Sequence, residues 1–162
     1  MMYLATAVNE GDKELAPKLV SFFTHSKPYH SELVFSDGTA VVVSPSFMGW
    51  KQREYDYYKW MLLPLVMINE EQEQEIREVA EKLLGDDPKY DYLGACCGWI
   101  RNWMQDPNKW YCSELCRALL RPYIPRVLDD DKWITPDRLL RILSTYMKID
   151  NRDQLSVLKS QL

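Results

Sequence analysis

Cys112, in the run Trp110-Tyr111-Cys112-Ser113-Glu114-Leu115, opens an apolar stripe at positions 112, 115, 116, 119 and 120 that has helical spacing. His30 lies in a segment whose residues alternate as in a strand. Thiol chemistry near neutral pH needs a thiolate, and a helix N-terminus and a nearby imidazole are the two surroundings that most readily lower a cysteine pKa. The pair therefore points to a cysteine nucleophile with a histidine base. First-turn side chains lean back over the free N–H groups of a helix. A thiolate at 112 would feel the dipole, and the Cys112 N–H could hold an oxyanion. The same stripe also admits a blander reading of Cys112 as a small, buried hydrophobe.

Along a strand, side chains alternate with a period of two, which puts His30, Glu32 and Val34 on one face and Leu33 and Phe35 on the other. Glu32 thus points in the direction of His30 and is a candidate orienting partner. Alternatively, both are polar residues on the wet face of a half-buried strand. Tyr111 and Tyr3 are candidate oxyanion or substrate-positioning donors. His25, on a helix flank, reads as a surface residue.

The elements that must position these residues begin with an apolar strand over residues 1–8. A helix follows, capped by Asp12 and running to about Thr24, with Leu15, Leu19, Val20 and Phe23 on one face. Pro28 ends helix and starts strand. His30 to Phe35, Ser36-Asp37-Gly38 and Thr39 to Ser44 form a hairpin. Residues 49–54 and 57–66 read as further strands, the latter near a sheet edge because of Pro64. Asn69 caps a helix whose Gln72 completes a variant capping box, whose stripe is Ile76, Val79, Ala80, Leu83 and Leu84, and which stops at Gly85. A largely apolar helix is expected from Tyr90 to about Met104, with Cys96 and Cys97 inside, then a turn at Asp106-Pro107-Asn108 and the Cys112–Arg121 helix. Thr135-Pro136-Asp137 starts the last helix, with Leu139, Leu140, Ile142 and Leu143 buried, and the tail beyond Asn151 is weakly patterned. One α+β domain spanning residues 1–162, an antiparallel sheet packed by helices, is the economical architecture.

A chain of 162 residues can bury a core without staples. Six Trp, ten Tyr and four Phe beside 27% charged residues exclude disorder and a minimal disulfide scaffold. A net charge of -4 without clustered Lys or Arg argues against nucleic acid as a partner. The apolar start lacks a basic n-region and stops at Asn9-Glu10, too short for a signal peptide or membrane span, so a cytoplasmic protein without a transmembrane segment is expected. Cys96 and Cys97 are adjacent and Cys112 and Cys116 are a helical turn apart. That is not an extracellular disulfide framework, and with no Cys-x-x-Cys pair neither a metal nor another cofactor is expected.

His30-Ser31-Glu32-Leu33-Val34-Phe35-Ser36-Asp37-Gly38, followed much later by Trp110-Tyr111-Cys112-Ser113-Glu114-Leu115, resembles the circularly permuted branch of the NlpC-type papain-like superfamily, the YiiX-like hydrolases. The likeness runs from His30 to about Tyr146 and includes Tyr90-Asp91-Tyr92 and Thr135-Pro136-Asp137. It rests on the His strand preceding the Cys helix, the reverse of the usual papain-like order. The resemblance implies a permuted papain-like fold in which Cys112 is nucleophile, His30 is general base and a polar residue completes a triad.

In that family the third residue often comes from the strand after the His strand, where this chain offers Ser44 and no acid. A two-residue Asp37-Gly38 turn would leave Ser44 opposite Ser31, and a loop one residue longer would bring it opposite His30. Glu32 is the preferred partner and Ser44 the alternative. The implied activity is a cysteine hydrolase of amidase or peptidase type acting on a peptide, amide or acyl substrate through an acyl-enzyme, with peptidoglycan-type amides as the leading class. The rivals are a lipid acyltransferase or thioesterase, and a non-catalytic interaction protein that presents Trp50, Tyr57, Tyr58 or Trp60 to a partner.

Overall fold

A computed structural model describes residues 1–8, 28–56, 58–97, 109–124, 128 and 133–159, with the backbone alone at 93, 96, 97 and 148–159. The expected helix at 12–24, His25, Tyr57, the turn at 106–108, the end of the 90–104 helix and the side chains of Cys96 and Cys97 lie outside the described residues. Strands β1 (Tyr3–Val8), β2 (Pro28–Val34), β3 (Thr39–Ser44), β4 (Phe47–Gln52) and β5 (Trp60–Pro64) form one antiparallel sheet in the order β4-β3-β2-β1-β5. Helix α1 (Glu70–Leu84) is followed by a two-residue strand β6 (Lys89–Tyr90), α2 (Tyr92–Cys97), β7 (Lys109–Trp110), α3 (Cys112–Leu120) and α4 (Pro136–Lys159). The architecture is α+β.

Binary patterning decides the two faces of the sheet. Met2 and Leu4, Leu33 and Phe35, and Val41 and Val43 point to one side and meet Ile76 and Ala80 of α1, Leu115 and Leu119 of α3, and Leu139 and Leu143 of α4. The opposite face carries Ala5, Val34, Ala40 and Val42, with Tyr3, Tyr55, Trp60 and Leu62 packed against them. Helix α1 forms where its capping box demanded. Asn69 Oδ1 accepts the Gln72 N–H at 2.8 Å, and Gln72 Oε1 accepts the Asn69 N–H at 3.0 Å. Helix α4 holds its helical course to Lys159, past the weakly patterned stretch after Asn151.

The hairpin joining β2 to β3 sets the register that matters for the site. Phe35 N–H donates to Thr39 O and Gly38 N–H to Phe35 O, so the loop is Ser36-Asp37-Gly38, with Gly38 at φ 81. This is the three-residue turn, in which Gly takes the left-handed position, and not the two-residue one. Asp37 Oδ1 accepts the Thr39 N–H and hydroxyl, which fixes the longer loop. Leu33 then pairs with Val41 and Val34 with Ala40, and there the β2–β3 ladder stops, although β3 pairs with β4 along all six of its residues.

Candidate active site

The early end of the β2–β3 ladder leaves a backbone donor. N–H groups of alternate residues point to the same edge of a strand. Because Phe35 N–H reaches Thr39 on β3, the Ser31 N–H also faces the β3 side, where no ladder partner is found for it. Its influence falls on Cys112, whose pKa it lowers. Helix α3 packs on β2 and places Cys112 as its first residue, with Tyr111 extended (φ -114, ψ 164) at the N-cap and no side chain capping the turn. The thiol is buried at the start of α3, close enough to the His30 imidazole and to the N–H groups of Ser31 and Ser113 for each to lower its pKa.

His30 and Glu32 occupy the face away from the helices, yet neither is a wet-face residue. The Glu32 side chain is fully buried and that of His30 is 14% exposed. The strand beside them supplies the room. Ala7 lies opposite His30 and Ala5 opposite Glu32, so the small β1 side chains let Trp60 of β5 reach across. Its ring meets the His30 ring edge-on at 6.0 Å and the Tyr55 ring at 5.1 Å, and the Arg53 guanidinium lies 5.7 Å over it. Glu32 Oε1 accepts from the Tyr55 hydroxyl at 2.6 Å, Oε2 accepts from Arg53 Nη2 at 3.1 Å, and Oε2 lies 3.6 Å from His30 Nε2. The five groups form a polar train from Arg53 and Tyr55 through Glu32 and His30 to Cys112.

The electrostatics favour charge separation along that train. Burial works against a charged His30, but hydrogen bonding and charge from Cys112 and then Glu32 outweigh it and raise its pKa to about 9. Burial also opposes the Cys112 thiolate. The His30 hydrogen bond and charge, with the N–H groups of Ser31 and Ser113, hold its pKa below the ordinary thiol value nonetheless. Burial would raise the Glu32 pKa, and His30, Tyr55 and Arg53 bring it below the usual carboxylate value instead. Cys116, one turn along α3, is the opposite case: burial, then the charges of Cys112 and Glu32, push its thiol well up.

Two carboxylates, Asp91 and Glu114, interact at the starts of α2 and α3. Strands β6 and β7 run parallel, with Tyr90 beside Trp110, and Asp91 N–H donates to Trp110 O at 2.9 Å. The starts of α2 and α3 are thereby set side by side. Asp91 Oδ1 accepts the Gly94 N–H at 2.8 Å, and Glu114 accepts the Tyr111 N–H, as the third residue of a capping box would. Burial and the nearby Asp91 charge raise the Glu114 pKa to about 7, against the pull of the Tyr111 N–H and Arg117. Among the described residues no three His, Cys, Asp or Glu side chains converge as a metal site would need, and no helix is long and apolar enough to cross a membrane.

The remaining candidates are used otherwise. Ser44 donates its hydroxyl to Phe47 O at 3.0 Å and accepts the Phe47 N–H at 3.1 Å. It closes the β3–β4 turn, although the longer hairpin loop gives it the register opposite His30. Tyr3 pairs with Val34, four residues along the sheet from the Ala7–His30 pair, or ~13 Å at a strand's rise. Tyr111 is buried, and its hydroxyl accepts the Ile134 N–H at 3.3 Å. Of the aromatic residues proposed for a partner surface, Tyr58 is 85% exposed, whereas Trp50 packs against Phe35 and Trp60 beneath His30. Arg53 and Tyr55, which hold Glu32, were not anticipated. They lie past the end of β4, where only their spacing of two hinted at a shared direction. No family model, curated protein or solved structure matches the chain.

Proposed function

We propose that the protein is a cysteine hydrolase of amidase or peptidase type, with Cys112 as nucleophile, His30 as general base and acid, and Glu32 as the residue that orients and charges the imidazole. The observation that carries this reading is the His30 ring with its Nε2 3.6 Å from a buried carboxylate, beside a Cys112 thiol whose interaction with it lowers the thiol pKa and raises that of the imidazole. Two elements distant in sequence, β2 and α3, bring those groups together, and the backbone N–H groups of Ser31 and Ser113 act on the sulfur. A packed structural cysteine needs none of these.

The chemistry follows from the geometry. Cys112 sulfur, as thiolate, attacks the substrate carbonyl carbon, and the carbonyl π electrons move to oxygen. The unfilled N-terminus of α3, where the Cys112 N–H belongs to the first turn and no side chain caps it, supplies donors and a positive dipole end for that oxyanion. The C–N or C–O bond then breaks, and the imidazolium of His30 gives its proton to the leaving amine or alkoxide. Water, deprotonated by His30, attacks the thioester, the C–S bond breaks, and the thiolate–imidazolium pair is restored. The order of the elements, with the His strand β2 before the Cys helix α3, supports assigning the chain to the permuted papain-like hydrolases.

The test is trapping of the acyl-enzyme. Incubation with an activated ester should add one acyl group to Cys112, located by peptide mass spectrometry, and hydroxylamine should remove it. Cys112→Ala should show no adduct, and His30→Gln should slow its formation by ~100-fold or more, as expected on losing a general base. Acylation spread over other nucleophiles, or unchanged in His30→Gln, would remove the basis for the assignment.

A further inference from the structure

We propose, building on the cysteine-hydrolase reading, that Tyr111 and Ser113 are positioning residues: from either side of the nucleophile their hydroxyls clamp the backbone of Ile134 and so fix the first turn of α3 at Cys112. The Tyr111 hydroxyl accepts the Ile134 N–H at 3.3 Å, and the Ser113 hydroxyl donates to Ile134 O at 2.7 Å. Both main-chain polar groups of one residue are thereby satisfied by the two chain neighbours of Cys112. Tyr111, Ser113 and Ile134 are all buried, so removing either hydroxyl leaves a buried main-chain group without its partner.

Neither hydroxyl serves its own helix. A serine in a first turn commonly bonds backbone groups a few residues away, whereas the Ser113 bond spans 21 residues, and Tyr111 at the N-cap gives the turn no side-chain bond. The clamped residue is itself held on both sides. Before it, Trp133 Nε1–H donates to Gly94 O of α2 at 2.9 Å. After it, Thr135 Oγ1 accepts the Arg138 N–H at 3.2 Å and Thr135 O accepts the Leu139 N–H at 2.9 Å, at the start of α4. Residues 133–135 thus tie the starts of three helices together, with Ile134 against the turn that carries the nucleophile. The set of that turn matters because the Ser113 N–H is one of the two main-chain donors that favour the thiolate, and the Cys112 N–H beside it faces the oxyanion in the proposed reaction. Hydrogen bonds weaken steeply as their angle closes from linear. A turn released from Ile134 would therefore hold both charges less well, with Cys112 and His30 still present.

The pH dependence of Cys112 alkylation by iodoacetamide, read by peptide mass spectrometry, tests this without any turnover. The thiolate displaces iodide directly, so the rate inflects at the pH where the thiol ionises. The wild type should inflect below the ordinary thiol value. Ser113→Ala removes the donor to Ile134 O and should move the inflection up by about 1 unit, a roughly tenfold loss of rate at any pH below both inflections, the scale of one charge-assisted hydrogen bond. Tyr111→Phe keeps the ring, removes the acceptor for the Ile134 N–H, and should move the inflection in the same direction; it carries the comparison if circular dichroism shows the serine variant unfolded. Ile76→Val, in the buried stripe of α1, lowers stability away from the clamp and should leave the inflection in place. Variants of Ser113 and Tyr111 that lower the urea midpoint but inflect with the wild type, or an Ile76→Val shift as large as theirs, would overturn the clamp alone. A wild-type Cys112 that inflects only at the ordinary thiol value would overturn the hydrolase reading, and this inference with it.

Discussion

Replacing Glu32 by Gln keeps the shape of the side chain and removes the charge facing His30. Two unit charges 3.6 Å apart interact by about 4.6 kcal/mol at an effective dielectric of about 20, the equivalent of roughly three pK units. Arg53 sits 3.1 Å from the same carboxylate oxygen and already draws on that charge, so a fall of about 1 to 2 units in the His30 pKa is expected. The imidazolium, which titrates at about 9 in the wild type, should then deprotonate closer to neutrality. The assay is a histidine-selective NMR titration. The chain has only two histidines, so a His25→Gln background leaves one resonance to follow. A His30 midpoint that stays within a few tenths of a unit of the wild-type value, in a variant with unchanged circular dichroism, would refute the role assigned to Glu32.

Cys112→Ala should lower the His30 midpoint still further, toward or below 6.5, because Cys112 supplies the largest of the effects that raise it and burial then acts with little opposition; the same NMR titration reads this. Folding stability should depend on pH in a defined window. His30 has a folded pKa raised from 6.5 to about 9, so its stabilising contribution is complete below 6.5 and fades as pH rises through about 9; urea midpoints across that range should fall in the wild type and less steeply in His30→Gln. Gly94→Ala should destabilise by about 2 kcal/mol, since the new Cβ would collide with Asp91 Oδ2 and lie 3.2 Å from Tyr111 Cδ1; an unchanged denaturation midpoint would contradict the tight packing around Gly94.

How much of this was legible in the chain differs from element to element. Asn69, Gln72 and Gly85 announced α1 because capping is local chemistry, and Thr135-Pro136 did the same for α4. Cys112 at a helix start could be read from its apolar stripe. Position two along a strand placed Glu32 on the His30 face, and the structure puts its carboxylate beside the ring. What period alone could not show was that this face would be dry. Burial of Glu32 depends on Ala5 and Ala7 being small on a neighbouring strand and on Trp60 lying beyond them, a three-strand relation set by sheet order. The hairpin register was similarly undecided, because Asp37-Gly38 suits both loop lengths and only the Thr39 hydrogen bonds to Asp37 select one. Arg53 and Tyr55 stayed hidden for the same reason: they leave the regular strand before meeting Glu32, where no periodicity applies.

The central claim is that Cys112 rests as a thiolate beside a protonated His30. The most direct measurement is the pH dependence of the ultraviolet thiolate absorbance, wild type minus Cys112→Ala. The account predicts a thiolate signal already present at neutral pH and lost only on acidification. A signal that emerges only above pH ~8.5, where an ordinary thiol ionises, would contradict it.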